Sequence, residues 1–458
     1  MPTPKSSCAG LMAKRRRTSA VITRELDALP LPKVDLEKNS ECQELLVHYA
    51  CSRSANLQQI TEERQQCPAG ATVTNITNNN GNHNSTTAQV VDDDLLNLCE
   101  LARYQHMKRL RGQLRKLCAA AGVPKVPLLA FERWLCRAQL SAPCQAPGAD
   151  PVLPMGGGTM LDHGMVRDLL RAGCRDAAAA EGVATALIDA SASAAAAVDA
   201  LRKGGCGAPG QPVAPPAVHV EHRRQALHFS LGRDTKPFFK LNYSHHAKLR
   251  RMWLAHRHSN GTSLDPATEE YGSSRSAGSD SAGASFDAAV WRLLARYDSI
   301  GGAGFQAAVG EAGFDALANL LSVNWECFAS PLNCRFESGY CSAFPDTDTP
   351  FGSVGSFLRF EATEGHFEAN PPFVPEIMSA MTAHIHALLQ KAERLGTALA
   401  FVVLIPKWVK VQAWGQLERS QWCKHSLCLS AADHGFFDGA QHHTALPTPT
   451  TGAFPYNP

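Results

Sequence analysis

The stretch GHFEANPPF, residues 365–373, joins a short extended segment to a helical pattern, and the apolar run TALAFVVLIPKW follows at residues 397–408. Strand, turn, helix and strand in this order form the repeating unit of a doubly wound parallel sheet, which binds its ligands outside the carboxyl ends of the strands. The pattern therefore predicts an α/β fold with a ligand site at the turn, residues 370–373. The helix is indicated by apolar residues at the three- and four-residue spacing of one helical face, namely Ile377, Met381, Ile385, Leu388 and Leu389.

The turn itself, Asn370-Pro371-Pro372-Phe373, has the residues expected of a site that methylates the exocyclic amine of adenine. That amine is a weak nucleophile, so such a site places oxygen acceptors against its two N–H bonds and a flat ring against the base. The side-chain oxygen of Asn370 and a carbonyl preceding a proline are suitable acceptors, and the two prolines stiffen the loop. Phe373 is expected to stack on the extruded base, a contact worth about 1–3 kcal/mol.

A second interpretation of the same four residues is purely local. Asn is a favoured N-cap residue and proline is favoured in the first turn, so this tetrapeptide alone is also typical of a helix start. The extended segment before it and the helix and strand after it favour the ligand site.

Two further blocks lie upstream, WECFASPLNCRF at residues 325–336 and YCSAFPDTDTPFGSVGSFLRF at residues 340–360. Together with FEANPPF they resemble the cap-specific adenosine N6-methyltransferase family, also called the phosphorylated-CTD-interacting factor family. The resemblance extends from about Lys240 to about His442, and its specificity comes from ASPLN, SAFPDTD and NPPF occurring in this order. It implies an α/β, Rossmann-like methyltransferase domain that depends on S-adenosylmethionine and is preceded by a mostly α-helical domain. The implied reaction is methyl transfer to N6 of the (2′-O-methyl)adenosine beside the 7-methylguanosine cap of mRNA.

The resemblance also implies roles for individual residues. Asn370, Pro371, Pro372 and Phe373 take the catalytic positions. The cofactor is expected to contact two groups of residues: Ser330, Pro331, Leu332 and Asn333, and then Asp346, Phe351, Gly352 and Ser353. Contacts with the capped RNA are expected from Trp408, Lys248, Arg251 and His434.

Two departures from the family pattern carry expectations of their own. The first tryptophan is Trp134, so we expect no WW module near the N-terminus and no docking to the polymerase II machinery through one. The sequence also ends soon after His443, where the family continues into further strands, so we expect an unfinished sheet edge, which exposes unpaired backbone groups.

The charge balance, 44 basic against 42 acidic residues, predicts no strong general affinity for nucleic acid. Any binding of RNA must come from local basic patches, and two predicted helices carry such patches. The basic residues of the two helices are Arg103, Lys108, Arg109, Arg111, Arg115 and Lys116 in one, and Lys248, Arg250, Arg251 and Arg257 in the other.

Lys14-Arg15-Arg16-Arg17 is a candidate nuclear import signal, and together with the family resemblance it leads us to expect a nuclear protein.

The chain has 15 cysteines but no C-x-x-C pair, which favours reduced intracellular thiols over a disulfide scaffold. Cys327, Cys334 and Cys341 recur every seven residues, a spacing that does not suit structural zinc, so we expect no metal. The longest apolar run recognised, residues 398–405, is strand-sized, and we expect no membrane span.

Composition shifts divide the 458 residues into five expected parts. The parts are a disordered basic tail at 1–24, a helical domain at 25–203 with an Asn-rich loop at 72–90, a Gly/Pro linker at 204–217, a methyltransferase domain at 218–445 with a mobile insertion at 259–285, and a tail at 446–458. Within the helical domain, residues 35–69 and 92–140 are predicted to be helical, as is the Ala-rich segment from 164 to 203. At the start of the methyltransferase domain we expect a hairpin within 218–242 and then a helix to about His258.

Two other functions fit the same residues. One is methylation of internal adenine in DNA or RNA by the same site. The other is a catalytically inactive cap- or RNA-binding adaptor, which is suggested by the short C-terminal end but disfavoured by the intact NPPF and ASPLN motifs.

Overall fold

The computed structural model describes nine segments of the chain: residues 45–52, 93–155, 161–204, 217–233, 235–259, 279–301, 308–337, 339–429 and 436–437. The predicted basic tail, Asn-rich loop and C-terminal tail lie outside these segments, as does nearly all of the Gly/Pro linker and most of the insertion.

Helices fill the first half of the described chain. Their bounds are α1 (Asp93–Ala120), α2 (Ala130–Gln139), α3 (Ala142–Gln145), α4 (His163–Arg171) and α5 (Ala177–Arg202). The long helix α1 buries Met107, Leu110 and Leu114 at helical spacing and packs against α5. The Ala-rich segment is two helices rather than one. Asp162 caps α4 and Asp176 caps α5, each accepting backbone N–H bonds with its carboxylate, so a new helix starts after residue 176.

Helix α5 is long and apolar enough, by length and composition alone, to cross a membrane. The expectation of no membrane span overlooked this helix because Glu181, Asp189 and Asp199 interrupt its apolar residues. Its inner face, which includes Val183, Leu187 and Val198, is buried against the neighbouring helices. This packing favours a core helix.

A small antiparallel sheet and two long helices come next. The strands are β2 (Val218–His222), β3 (Ala226–Leu231) and β4 (Phe239–Asn242), in the order β2-β3-β4, so the predicted hairpin is confirmed and gains a third strand. They lead into α6 (Tyr243–Ser259), which ends where predicted, and then into α7 (Ser279–Ile300). Since α7 starts at residue 279, the predicted insertion extends too far on its C-terminal side.

The large sheet has six strands in the order β10-β1-β9-β8-β6-β7. Its members are β1 (Leu45–Cys51), β6 (Trp325–Ala329), β7 (Tyr340–Ser342), β8 (Gly365–Ala369), β9 (Leu399–Pro406) and β10 (Cys423–Leu429). The pairs β7/β6, β6/β8 and β8/β9 are parallel, whereas β1 is antiparallel to both β9 and β10. All strands except β1 therefore run in one direction. The remaining elements are β5 (Ala308–Val309), α8 (Glu311–Leu321), α9 (Pro345–Asp348), α10 (Pro375–Leu395), α11 (Gln412–Glu418), β11 (Phe436–Phe437), and two 3₁₀ turns at 349–351 and 357–359.

Side chains that alternate along the strands are buried on both faces of this sheet. Phe367 and Phe401 point to the face covered by α10, where they share a cluster with Met381. Val402 and Leu404 lie on the opposite face, in a cluster with residues of α8. Helices therefore cover both faces, which confirms the α/β prediction.

Strand β1 corrects one prediction. Residues 45–51 lie in the segment predicted to be helical, yet residues 45–51 pair with β9 and residues 45–50 pair with β10. A short apolar run such as LLVHYAC has no periodicity that separates strand from helix, and its pairing with β9 and β10 determines that it is a strand. The same strand is paired on both sides and joins β10 to the sheet. The expected unfinished edge concerns strands beyond His443 and stays a prediction.

We expect Val47→Pro to destabilise the protein by roughly 2–3 kcal/mol. Val47 pairs with Leu404 on one side and Leu427 on the other. Proline has no N–H and is confined to edge strands and bulges, so a strand paired on both sides does not tolerate it. The matched variant Val47→Ala keeps the N–H and should lose less. Urea unfolding and hydrogen exchange at residues 423–429 measure the difference; equal behaviour of the two variants would place β1 outside the sheet.

Candidate active site

The centre of the large sheet is a point where the strand order reverses. After β6 the chain passes to β7 on one side, and after β8 it passes to β9 on the other side, while β6 and β8 are neighbours. The two loops leave in opposite directions, and α/β proteins bind ligands between such loops at the carboxyl ends of the strands, a place here called the crevice. Residues 330–333 follow β6 and residues 370–373 follow β8. The sheet therefore brings the two predicted motifs together across about 40 residues of sequence.

The tetrapeptide after β8 forms a loop and not the first turn of a helix. Helix α10 starts at Pro375, and its N-cap is Val374 in an extended conformation, with φ −117° and ψ 123°. Asn370 therefore does not cap the helix, and the local interpretation of the motif is wrong. Asn370 is partly exposed while its side-chain oxygen is buried, and Pro371 is buried.

Two aromatic side chains stand beside this loop. The rings of Phe373 and Trp408 lie 6.4 Å apart, centroid to centroid, and are nearly perpendicular, at 77°. Trp408 follows β9, the neighbour of β8, and is partly exposed, whereas Phe373 is 7% exposed. The structure thus places the two aromatic residues side by side, while their predicted contacts with the base and the RNA stay predictions.

The loop after β6 is held closed by its own side chains. Asn333 Oδ1 accepts hydrogen bonds from the backbone N and the Oγ of Ser330, at 2.7 and 2.9 Å. Pro331 and Leu332 are buried. The motif thus determines the path of the backbone at the crevice, and of its four residues Asn333 remains partly exposed there.

Lys248 and Arg251, predicted to contact RNA, lie on α6 against the segment 330–337. The Nζ of Lys248 donates to the carbonyl oxygen of Cys334 at 2.6 Å, and Arg251 forms an ion pair with Glu337 at 2.6 Å. Both cations therefore hold this segment in place. The side chain of Arg251 is 62% exposed and remains accessible from solvent.

The residues of the second block have different surroundings from one another. Phe351 is fully buried, and its carbonyl accepts a hydrogen bond from Tyr340; the hydroxyl of Ser353 bonds that of Ser342 at 2.6 Å. Gly352 turns the chain with φ 91°. Phe351 and Ser353 are thus buried, and their predicted contacts with the cofactor stay predictions.

Asp346 follows β7, next to the loop of β6. Both of its carboxylate oxygens accept hydrogen bonds from Arg296, at 2.9 and 2.7 Å, yet 43% of the side chain is exposed. Burial on its own would raise the pKa of Asp346, but the charge and hydrogen bonds of Arg296 outweigh it and lower that pKa. The carboxylate is therefore ionised, oriented and still accessible for a ligand.

Sequence reasoning missed two buried carboxyl groups below the crevice. Glu326 of β6 and Glu368 of β8 are neighbours in the parallel register and are 3% and 2% exposed. Burial raises the pKa of Glu326 to about 7, although hydrogen bonds from two backbone N–H groups lower it. Burial, and then the charge of Glu326, raise the pKa of Glu368 well above its usual value. The sequence feature that could have indicated these buried carboxyl groups is a single Glu inside each apolar strand, in WECFA and GHFEA.

A cavity of about 750 Å³ lies between α2, α4 and α5 and the first turn of α10. Trp134 and the Arg137–Asp162 ion pair, 2.9 Å long, contribute to its wall, together with Glu376 of α10. Glu376, three residues beyond Phe373 in the sequence, brings α10 to the wall of the cavity, whereas residues 370–373 do not line it.

Some of the predicted residues lie outside the described segments. His434 lies outside the described residues, as do His442, His443 and Lys14–Arg17. Within the described residues no group of three or more His, Cys, Asp or Glu side chains could hold a metal ion. On the basic face of α1, Arg103 and Arg111 are engaged in ion pairs with acidic neighbours, which leaves Lys108, Arg109, Arg115 and Lys116 exposed.

Comparison with known proteins agrees with the resemblance drawn from the motifs. A family model described as "Phosphorylated CTD interacting factor 1 WW domain" matches residues 269–439. Human and mouse proteins named mRNA (2'-O-methyladenosine-N(6)-)-methyltransferase are each 44% identical to this chain over 171 residues, which is 36% of this chain and 24% of the relative. The chain thus spans about a quarter of the length of these curated relatives. The matched range contains both loops of the crevice and most of the large sheet.

The same match corrects the expectation about the WW feature. The model whose description names that domain matches this chain, so the statement that the chain departs from the family in this respect is wrong. The expectation rested on the absence of tryptophans near the N-terminus, whereas the match covers an α/β region that contains Trp291, Trp325, Trp408, Trp414 and Trp422.

Proposed function

We propose that this protein is an RNA adenosine N6-methyltransferase that uses S-adenosylmethionine and acts on the (2′-O-methyl)adenosine beside the 7-methylguanosine cap. One observation carries the proposal: the Asn370–Phe373 loop leaves β8 at the switch point, directly beside the loop of β6. The 44% identity to proteins named for this activity on mRNA supports it. The large sheet then corresponds to a Rossmann-like methyltransferase domain.

Asn370 and Pro371 orient the amine in this proposal. The Asn370 Oδ1 and the carbonyl of Pro371 accept the two N–H bonds of adenine N6, which directs the nitrogen lone pair to the methyl donor. Phe373, supported at its edge by Trp408, bounds the base. The amine needs no general base before transfer, since its proton becomes acidic only once the methyl group is attached. Orientation and electrostatics therefore provide most of the rate.

The crevice has suitable groups for S-adenosylmethionine. The cofactor supplies an electrophilic methyl group on a positively charged sulfur. Asp346, ionised and 43% exposed at the end of β7, is suited to accept hydrogen bonds from ribose hydroxyls. The Ser330–Asn333 loop provides a fixed backbone surface on the adjoining strand.

The cavity next to Glu376 supports a substrate larger than one base. Its wall includes Glu376, three residues beyond Phe373, and it offers about 750 Å³ among polar and aromatic side chains, enough for a neighbouring nucleotide. A base at the 5′ end has one stacking neighbour fewer, so its extrusion into the crevice costs little free energy.

A nuclear location and an association with the polymerase II machinery accompany the proposal.

The test is methyl transfer from labelled S-adenosylmethionine to two short RNAs that start with adenosine, one with a 7-methylguanosine cap and one with a plain triphosphate. We expect label only in the capped RNA, at N6 of the first nucleotide. Equal labelling would indicate a general adenine methyltransferase. Binding of cofactor without any transfer would indicate an RNA-binding adaptor instead.

A further inference from the structure

We propose that Glu326 is a positioning residue for the cofactor side of the crevice, where its carboxylate fixes the segment 330–337, and that Glu368 is its protonated neighbour. Neither residue belongs to the predicted motifs. The inference rests on the proposed function, because it assigns the segment 330–337 to the cofactor.

The segment 330–337 is held at three places. The Ser330–Asn333 hydrogen bonds fix its beginning, and Lys248 binds the carbonyl of Cys334 from α6. Glu326 fixes the end, because its Oε1 accepts hydrogen bonds from the backbone N of Arg335 at 2.7 Å and of Phe336 at 2.9 Å. Both hydrogen bonds end on one buried carboxylate, so they are charge-assisted and strong. They set the position at which the chain returns from the crevice to β7.

The pairing of Glu326 with Glu368 requires a proton. Two buried carboxyl groups side by side on adjacent strands do not both ionise, as their mutual repulsion is not screened by water. The two N–H donors stabilise the anion at Glu326, so the proton resides on Glu368. A neutral Glu368 then lets Glu326 keep the charge that its two hydrogen bonds need.

The surroundings of the pair favour this arrangement. The positive charges of Lys248 and Arg335 face Glu326, and Arg335 in turn is paired with Asp315 of α8. Towards β9 the neighbour of Glu368 is Val402, which offers no charge. The other titratable groups near the pair are Cys327, Cys334 and Tyr340, whose pKa values are all raised, by burial first, so that they stay neutral.

A pH dependence of cofactor binding follows. As the pH falls through about 7, Glu326 gains a proton and its hold on residues 335 and 336 weakens. Cofactor affinity should therefore decrease from pH 8 to pH 6, by at most about tenfold per pH unit.

The experiment compares the full chain with Glu326→Gln, Glu368→Gln and, as a surface control on α11, Glu418→Gln. Binding of S-adenosylhomocysteine is measured by calorimetry from pH 6 to 8.5, and steady-state kinetics give KM for S-adenosylmethionine and kcat. We expect Glu326→Gln to weaken binding about tenfold at pH 8, to remove the pH dependence and to raise KM more than it lowers kcat. Glu368→Gln has the shape of the protonated acid, so the pH profile should persist in it.

Two results would overturn the inference: equal effects of the two central substitutions, or wild-type binding that does not change between pH 6 and 8.5. The wild-type profile decides even where Glu326→Gln fails to fold, which thermal unfolding of each variant reveals. Absence of any S-adenosylhomocysteine binding by the wild-type protein would refute the proposed function itself. Normal binding with unchanged pH behaviour refutes only the role of Glu326.

Discussion

Asn370→Ala should lower the turnover of methyl transfer by about 10²–10³-fold, the usual effect of deleting one preorganised hydrogen-bonding group at a reacting atom. Asn370 lies at the carboxyl end of β8 with its side-chain oxygen buried at the crevice. Without that oxygen, one N–H bond of the amine loses its acceptor and the lone pair loses its direction. The segments assigned to the cofactor follow other strands, so binding of S-adenosylmethionine should change by less than about twofold.

Single-turnover methylation of a capped, adenosine-initiated RNA measures the effect, and calorimetric titration with S-adenosylhomocysteine measures the binding. Gln390→Ala is a matched control, since it removes a side-chain amide from the exposed side of α10 and should leave both values unchanged. Near-normal turnover of Asn370→Ala would show that the amine is held elsewhere.

The sequence predicts the central α/β unit well because several local signals coincide there. The helical spacing of Ile377, Met381 and Ile385 predicts α10, and the strand-sized length of the apolar run at 398–405 predicts β9. Strand β1 carries no such signal. Its position depends on partners in β9 that are 349 or more residues away, which no local pattern reveals.

The site was predictable to the extent that its residues follow strands. Residues after β6 and β8 meet because the strand order reverses between them, so the order of the motifs was sufficient. Phe351 and Ser353 follow no strand end, and their side chains proved to be buried in the core. The role of Asp346 depends on Arg296, a residue of a separate helix, and could not be inferred from its own block.

Arg296 connects the two halves of the molecule and gives the second large effect. It is fully buried on α7 and binds Glu100 of α1, at 2.8 and 2.7 Å, as well as Asp346 at the crevice. Its guanidinium also lies 5.0 Å from the ring centre of Phe344. One cation thus neutralises a carboxylate of the helical part and a carboxylate of the proposed cofactor site.

Arg296→Met should lower the free energy of unfolding by about 3–5 kcal/mol, the range for removing one partner of a buried ion pair. Methionine fills the space, but Glu100 stays buried with Arg103 as its remaining ion-pair partner. Asp346 loses the ion pair that orients it. Urea unfolding measures the loss, and cofactor affinity should fall with it, because the orientation of Asp346 is no longer fixed.

Arg251→Met is the matched comparison. It breaks the ion pair of Arg251 with Glu337, which is of similar length, but the side chain of Arg251 is 62% exposed. Water already solvates that pair, so its removal should cost less than about 1 kcal/mol. If both variants lose little stability, apolar packing and not the Arg296 ion pairs holds α1 and α7 against the sheet. If Arg296→Met is unstable yet binds cofactor normally, Asp346 has only a structural role, and the ribose contact must be sought along the loop after β6.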